Sequence, residues 1–177
     1  MEKWKIGGLK QSFELCQFEL RGSDPSERII SDLTRLLSSE KINVALLTYS
    51  SKRNSYRRIT FCINQDQFAN TLKILNKVLP LPEDWRLSSR EHVGIMSIFP
   101  YRSSFIKMLR IIMVSWAKNS LPIYGIATSL SAISFVTDYD VMDKAVQITR
   151  DSFRLPDNNA PIKSEICYCQ SDNIKKV

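Results

Sequence analysis

The stretch IYGIATSLSAISFVTDYDVMDKAVQITRDSFRLP, residues 123–156, contains an alternating pattern followed by a helical one. Apolar residues alternate with small polar residues over Pro122–Thr128 and again over Ser131–Thr137, which predicts two neighbouring strands. No Gly, Pro or Asn marks the turn between them. Four hydroxyl residues occupy this hairpin: Thr128, Ser129, Ser131 and Ser134.

A helix is expected directly after the second strand. Either Asp138 or Asp140 is suited to its N-cap, because a short acidic side chain accepts hydrogen bonds from the free N–H groups there. Apolar and small residues then recur at helical spacing. These residues are Met142, Ala145, Ile148 and Thr149. Residues 123–156 therefore predict a strand–strand–helix unit.

The residues that flank this unit extend it on both sides. Val93–Phe99 is apolar and predicts a strand, and Pro100–Ser104 predicts a loop. A helical stripe follows in Phe105, Met108, Leu109, Ile112 and Trp116. Pro161–Cys169 predicts a closing strand. The order over this part of the chain is strand, helix, strand, strand, helix, strand.

The same order is predicted in the preceding part of the chain. Strands are expected at Phe13–Leu20, Ile42–Ser50, Tyr56–Ile63 and Trp85–Ser89. A first helix should begin at the N-cap Asp24, with Pro25 at its first position and Glu27 completing a capping box. A second helix should begin at the N-cap Asn64. Their buried stripes are Ile29, Leu33, Leu36 and Leu37 in the first helix, and Phe68, Leu72, Leu75 and Leu79 in the second.

Corresponding elements of the two parts lie about 75–80 residues apart, which indicates a repeat of domain size. We therefore predict an α+β protein of two ferredoxin-like βαββαβ modules, at residues 11–90 and 91–170, with a lead-in over 1–10 and a tail over 171–177. Right-handed crossovers place both helices of a module on one face of its antiparallel sheet. The uncovered face or edge favours association, so a homodimer is expected.

Composition limits the possible functions. The chain has 177 residues, 44% of them hydrophobic and 24% charged, which is typical of a folded soluble domain. The start MEKWKIGGLK lacks the apolar segment of a signal peptide, so a cytoplasmic location is expected. The formal net charge is +7, and its densest cluster is Lys52, Arg53, Arg57 and Arg58. A solvated turn explains this cluster more simply than a nucleic-acid contact does.

The residues also favour a non-catalytic protein. Cys16, Cys62, Cys167 and Cys169 fit reduced thiols packed in strands better than a metal site, since the chain has one histidine, His92. No pairing of a nucleophile with a base is evident. Neither an enzyme nor a cofactor is predicted.

Several motifs resemble the regulatory part of aspartate kinases, which is a tandem pair of ACT domains. The likeness rests on Ala127-Thr128-Ser129, Ile133-Ser134, Lys144-Ala145-Val146 and Phe153-Arg154-Leu155 in the second module. In the first module, Ile42-Asn43-Val44 is similar to the start of a family strand, and Gly22-Ser23-Asp24-Pro25 to the ligand loop. The resemblance extends over about Phe13–Cys169 and includes no kinase domain.

The resemblance implies a regulatory module that binds a small amino-acid effector and controls an enzyme. The loop before the first helix ends at free N–H groups that suit a carboxylate, and Asp24 can hold an ammonium group. The implied ligand-binding residues are Gly22, Ser23, Asp24, Pro25, Ser26, Asn43 and Tyr49 in the first module, and Arg102, Ser103, Thr128, Ser129 and Ser131 in the second.

Two alternatives remain at this level. The chain can be an assembly module without a ligand, or, less expected, an RNA-binding βαββαβ protein that offers Tyr56 and Phe61 for base stacking. The hydroxyls of the hairpin likewise have two interpretations. They line an interface with a ligand or partner module, or they satisfy the turn by bonding to its own backbone.

Overall fold

The computed structural model describes residues 3–23, 28–52, 56–79, 81–101 and 105–156. Over these residues the chain forms seven strands and four helices. The strands are β1 (Trp4–Gly22), β2 (Val44–Lys52), β3 (Tyr56–Asn64), β4 (Arg86–Pro100), β5 (Gly125–Thr128), β6 (Ile133–Asp138) and β7 (Phe153–Arg154). The helices are α1 (Arg28–Ser39), α2 (Phe68–Val78), α3 (Phe105–Lys118) and α4 (Met142–Ser152).

The strands form one largely antiparallel sheet in the order β2-β3-β1-β4-β6-β5, and the short β7 pairs with β1 in parallel. Two long strands, β1 and β4, run side by side through its centre. Residues 15–22 of β1 pair with β3, and residues 93–98 of β4 pair with β6. Both long strands therefore run through the two ends of the sheet, and each pairs with other strands along its length.

Irregularities in β1 and β4 divide the sheet into two halves. Glu14 has a φ of 53° and His92 a φ of 54°, a region that non-glycine residues seldom adopt. The register of β1 against β4 shifts on both sides of the pair Leu15–Val93. We call β2, β3, α1, α2 and the adjoining parts of β1 and β4 the first half. The second half comprises β5, β6, β7, α3, α4, residues 4–12 of β1 and residues 93–100 of β4.

The first strand differs most from the sequence-based expectation. It begins at Trp4 rather than near Phe13, so residues expected as a lead-in are largely β-strand. Ile6 to Ser12 pair with Pro100 to Ile95 of β4, on the side where a closing strand from Pro161–Cys169 was expected. That predicted strand lies outside the described residues. The start KWKIGGLK lacks clean alternation, and its pairing uses backbone groups that every residue carries.

The strands expected at Trp85–Ser89 and Val93–Phe99 also form a single strand, β4, across the predicted module boundary. The sequence Arg90-Glu91-His92 lies between the two predicted strands. In the structure these residues accommodate the bulge opposite Leu15. The predicted division at residues 90 and 91 therefore falls inside a continuous strand.

The expected N-caps also need correction. Asn64 and Asp138 each precede a short 3-10 turn rather than the first turn of an α-helix, and neither side chain makes a capping hydrogen bond. Asp138 instead accepts a hydrogen bond of 2.9 Å from the hydroxyl of Tyr124. An Asp side chain before a helical turn can accept from the backbone N–H groups of that turn or from a more distant side chain. Asp138 accepts from the more distant Tyr124. The predicted N-cap Asp24 lies outside the described residues.

All four helices pack on one face of the sheet, and the right-handed crossovers predicted this placement for the two helices of each module. In the first half, α1 and α2 bury Leu33 and Leu75 against Phe18 and Phe61, whose ring centroids are 5.4 Å apart. In the second half, Trp116 of α3 lies 5.0 Å from Phe135 of β6, centroid to centroid. The register of β1 and β4 keeps both clusters on the same face, because paired residues of neighbouring strands share a face.

The opposite face carries none of the helices that the described residues form, but it is partly buried. Leu15, Cys62, Val93 and Val136 are fully buried there. A Cβ added to Gly125 of β5 would lie 3.6 Å from Nε2 of Gln17 in β1, although these strands are three positions apart. In a flat sheet that separation would be about 14 Å. The sheet is therefore strongly curved, and its helix-free face is concave.

Candidate functional site

The predicted ligand loop begins where β1 ends. Gly22 is the last residue of that strand, and a Cβ at this position would lie 2.4 Å from ring atoms of Trp85. Ser23 follows, and both its backbone N–H and its hydroxyl donate to Oδ2 of Asp84, the former at 2.8 Å. Gly22 and Ser23 are therefore anchored to the segment before β4. The remaining loop residues, Asp24, Pro25 and Ser26, lie outside the described residues.

A surface cleft of about 600 Å³ lies beside these two residues. It is lined by Arg21, Gly22, Ser23, Tyr56, Asp84, Arg86 and Ser88. The hydrogen bonds from Ser23 hold the pKa of the Asp84 carboxyl below its ordinary value, so this group is negative at neutral pH. The cleft combines one carboxylate with two arginines, which suits a zwitterionic ligand.

Sequence reasoning missed Asp84 and Arg86 as members of this cleft. They follow Leu79-Pro80-Leu81-Pro82, a stretch interpreted only as the end of a helix. A signal was nevertheless present, because a loop that leads into a strand adjacent to β1 must pass the end of β1. The pairing of Arg21 with Arg86 places them there.

The other predicted residues of the first module lie on a different edge. Asn43 is exposed just before β2, and Tyr49 lies on β2, the outermost strand of the sheet. The hydroxyl of Tyr49 accepts a hydrogen bond from the guanidinium of Arg57. Neither residue lines the cleft beside Gly22. The structure therefore does not bring the two parts of the predicted site together within one chain.

The hydroxyls of the second module form a hairpin turn between β5 and β6. Oγ of Ser129 accepts hydrogen bonds from the backbone N–H groups of Ser131 at 3.2 Å and Ala132 at 3.0 Å. The N–H of Ser129 donates to the carbonyl of Ala132 at 2.9 Å. Thr128 and both serines are exposed. The turn is therefore satisfied by its own side chain, which explains how it forms without glycine.

The other hydroxyl of this stretch has a structural partner as well. Ser134 of β6 lies 2.7 Å from Ser97 of β4, oxygen to oxygen, across the sheet. Arg102 and Ser103, the remaining predicted residues of the second module, lie outside the described residues. Of the ligand-binding residues predicted in the second module, the structure therefore describes only those of the hairpin.

The two described cysteines fit a packing role. Cys16 and Cys62 are fully buried, and burial raises the pKa of each thiol to about 12. Both stay protonated at neutral pH, when a thiol is a poor nucleophile and a poor metal ligand. Across the described ranges, no group of His, Cys, Asp and Glu side chains is arranged to hold a metal ion, and no helix is suited to crossing a membrane.

Solved structures share this architecture. The regulatory subunit of aspartate kinase from Thermus thermophilus, in its ligand-free form, matches with a TM-score of 0.72 and 20% identity, over 84% of this chain and 99% of that one. This chain has the fold of an aspartate kinase regulatory region. No protein-family model and no curated protein sequence matches it.

Two aspartate kinases contain the same architecture as a part of a longer chain. Aspartate kinase from Synechocystis matches with a TM-score of 0.76 and 18% identity, over 86% of this chain and 27% of that one. Aspartokinase III of E. coli, in complex with lysine and aspartate, matches with a TM-score of 0.62 and 12% identity, over 86% and 34%. The fold of this chain therefore corresponds to about a third or less of each of these kinases, and the likeness to aspartate kinase regulatory regions that its motifs predicted is confirmed.

Proposed function

We propose that this chain is a non-catalytic regulatory module, built of two ACT-like ferredoxin modules, that binds an amino acid and controls an enzyme in the cytoplasm. The observation that carries the proposal is the match to a regulatory subunit of aspartate kinase over 99% of that subunit. A regulatory function follows from the whole fold rather than from one residue. The E. coli relative, solved with lysine and aspartate, makes lysine the first effector to test.

The proposed amino-acid site combines the loop Gly22–Ser26 of one chain with β2 of a second copy. Within one chain, Gly22 and Ser23 line a cleft that neither Asn43 nor Tyr49 lines, so in this proposal the site forms between the two copies of a homodimer, where Asp24 of one copy joins Asn43 and Tyr49 of the other. The outer edge of β2 suits such pairing. Val44, Leu47 and Tyr49 are 37–39% exposed, and among the described strands β2 pairs only with β3.

The test is a thermal-shift screen of the twenty amino acids on the full chain, because a ligand that binds only the folded state raises its melting temperature. We expect Asp24→Asn to abolish the shift, since the amide keeps a capping oxygen but loses the charge that holds an ammonium group. Asp32→Asn is the control, because this carboxylate of α1 pairs with Arg35 at 2.9 Å. A full panel without any shift would contradict amino-acid binding.

A second function, assembly without a ligand, is favoured by the exposed apolar residues of β2. Sedimentation distinguishes the cases, because assembly predicts a dimer with or without amino acids. A species of 20.4 kDa alone, at micromolar concentration, would contradict both the homodimer and the shared site. RNA binding loses support, because Phe61, one of its two stacking candidates, is fully buried under the helices.

A further inference from the structure

A second cleft lies on the concave, helix-free face, where the segment before β5 approaches the central strands. Its volume is about 310 Å³, which is at the lower end of the range for small-molecule pockets. Its polar lining comprises two serines, Ser88 and Ser89, together with Gln17, Glu19, Arg21, Arg58, Arg90 and Tyr124. Arg21 also lines the cleft beside Gly22, but Gln17, Arg90 and Tyr124 do not.

Gln17 is the most informative residue of this cleft. Its side chain is 7% exposed, and Nε2 has no hydrogen-bond partner among the described residues. Buried amides are normally paired, so an unpaired donor at the wall of a cleft indicates a missing acceptor. Gly125 leaves open the space beside this nitrogen, since an added Cβ would lie 3.6 Å from it.

The ionic groups of the cleft are already held in position. Glu19 pairs with Arg21 and, at 3.5 Å, with Arg58. The guanidinium of Arg90 lies 3.7 Å from the ring centroid of Tyr124. The Tyr124 hydroxyl donates to Asp138, so its ring is fixed from both ends. A guanidinium over an aromatic ring keeps the N–H groups of its own plane available for a carboxylate.

The charges of the cleft favour an anion with two negative groups. Three arginines face one carboxylate, so two positive charges are in excess along the wall. Arg90 and the amide of Gln17 form one group of donors, and Arg21 and Arg58 form a second beside Glu19. Two separate groups of donors match two carboxylates better than one compact anion.

We propose that this cleft binds a small dicarboxylate, with one carboxylate on Gln17 and Arg90 and the other on Arg58 and Arg21. The site adjoins the cleft beside Gly22, with which it shares Arg21 and Ser88, but the proposal does not depend on amino-acid binding at Gly22–Ser26. It lies on the face of the sheet opposite the helices, and both halves contribute residues: Tyr124 precedes β5 of the second half, whereas Gln17 and Arg58 belong to the first. Occupancy would therefore join the two halves.

Calorimetric titration of the full chain with succinate tests the proposal, and succinamide serves as the uncharged control ligand. We expect succinate to bind and succinamide not to bind. Arg90→Gln and Gln17→Leu should each weaken binding by about tenfold or more, since each removes donors to a charged group. Arg35→Gln is the matched control, because that arginine is exposed on α1 and outside the cleft. Asp24→Asn should leave the succinate affinity unchanged.

Each other outcome overturns the proposal. If succinate at about 10 mM does not bind, the cleft is not a dicarboxylate site, since a dissociation constant above that concentration corresponds to a very weak complex. Equal affinity for sulfate would show a general anion surface. Unchanged affinity in Arg90→Gln would place the ligand elsewhere, and Arg90 is exposed enough for that variant to fold even if Gln17→Leu does not.

Discussion

The two halves of the sheet have similar architecture but are assembled differently from the chain. Each places two helices on the same face over a core that contains stacked or tilted aromatic rings. The first half takes all its strands from one continuous part of the chain, residues 15–92. The second half takes an outer strand from residues 4–12, far from its other elements. Local patterns therefore specify the elements of both halves, whereas the pairing partner of β1 depends on the whole fold.

The largest expected effect comes from weakening that distant strand. Ile6 is fully buried in the same core cluster as Trp116 and Phe153. Ile6→Ala should destabilise the chain by about 2–5 kcal/mol, the usual cost of this truncation in a core. Chemical denaturation measures the loss, and hydrogen exchange locates it in the second half.

Leu20→Ala is the matched variant for the first half, since Leu20 is equally buried on the same strand. Its exchange effects should appear around Phe61 rather than Trp116. A loss below about 0.5 kcal/mol for Ile6→Ala, the level of a surface change, would show that residues 4–12 do not belong to the second half.

Substitution of one glycine in each half compares how easily the neighbouring side chain can move. A Cβ at Gly22 would lie 2.4 Å from the rigid ring of Trp85, whereas one at Gly94 would lie 2.3 Å from the terminal methyl of Met142. Gly22→Ala should therefore cost about 1–3 kcal/mol through overpacking. Gly94→Ala should cost less, because a methionine side chain readily changes rotamer. Denaturant midpoints of the two variants decide the order, and the reverse order would mean that the ring of Trp85 can move.

The hairpin of the second half allows a more precise test. Removing the hydroxyl in Ser129→Ala should cost about 0.5–1.5 kcal/mol, because it satisfies two backbone N–H groups of the turn. Ser131→Ala is the control, since this hydroxyl contacts only that of Ser129 among its described partners. Thermal unfolding compares them. Equal melting temperatures would show that the turn does not depend on its side chain.

The smallest effect on stability is expected at Ser23, which follows β1 in the first half. Ser23→Ala should raise the pKa of Asp84 toward its ordinary value of 3.8, since the serine bonds are the main cause of its depression. A depressed carboxyl pKa contributes stability above the unfolded-state pKa, and this contribution is lost as pH falls through the folded-state value. The wild-type advantage should thus vanish in acid. NMR titration of the carboxyl groups measures the pKa of Asp84 in both proteins. An unchanged pKa in Ser23→Ala would show that the Ser23 hydroxyl does not lower the pKa of Asp84.

Much of this fold was predictable because its signals are local. Period-3.6 stripes such as Ile29, Leu33 and Leu37 predicted α1, and alternation predicted β3 and β6. The extent of β1 was not predictable in this way. Gly7 and Gly8 interrupt its pattern, and its first residues are held by β4, about ninety residues away.

The candidate sites were predictable only in part, for a related reason. Gly22 and Ser23 were identified from a motif, but their partner Asp84 lies 61 residues away. Alternation placed Gln17 on a predicted strand but did not indicate whether its side chain is buried. Its burial results from the curvature of the sheet, which brings Gly125 over it, and curvature has no sequence period.

The position of β1 also determines how mechanical force would enter the molecule. Trp4 and Lys5 pair with β7, and the residues after them pair along β4. A domain attached ahead of Trp4 would therefore pull first on the second half, although the first half follows it more closely in sequence. Because β1 extends through its irregularity at Glu14 to Gly22, part of the load would pass along this strand to the edge of the cleft beside Ser23. A single β-strand would then connect such a domain mechanically with that cleft.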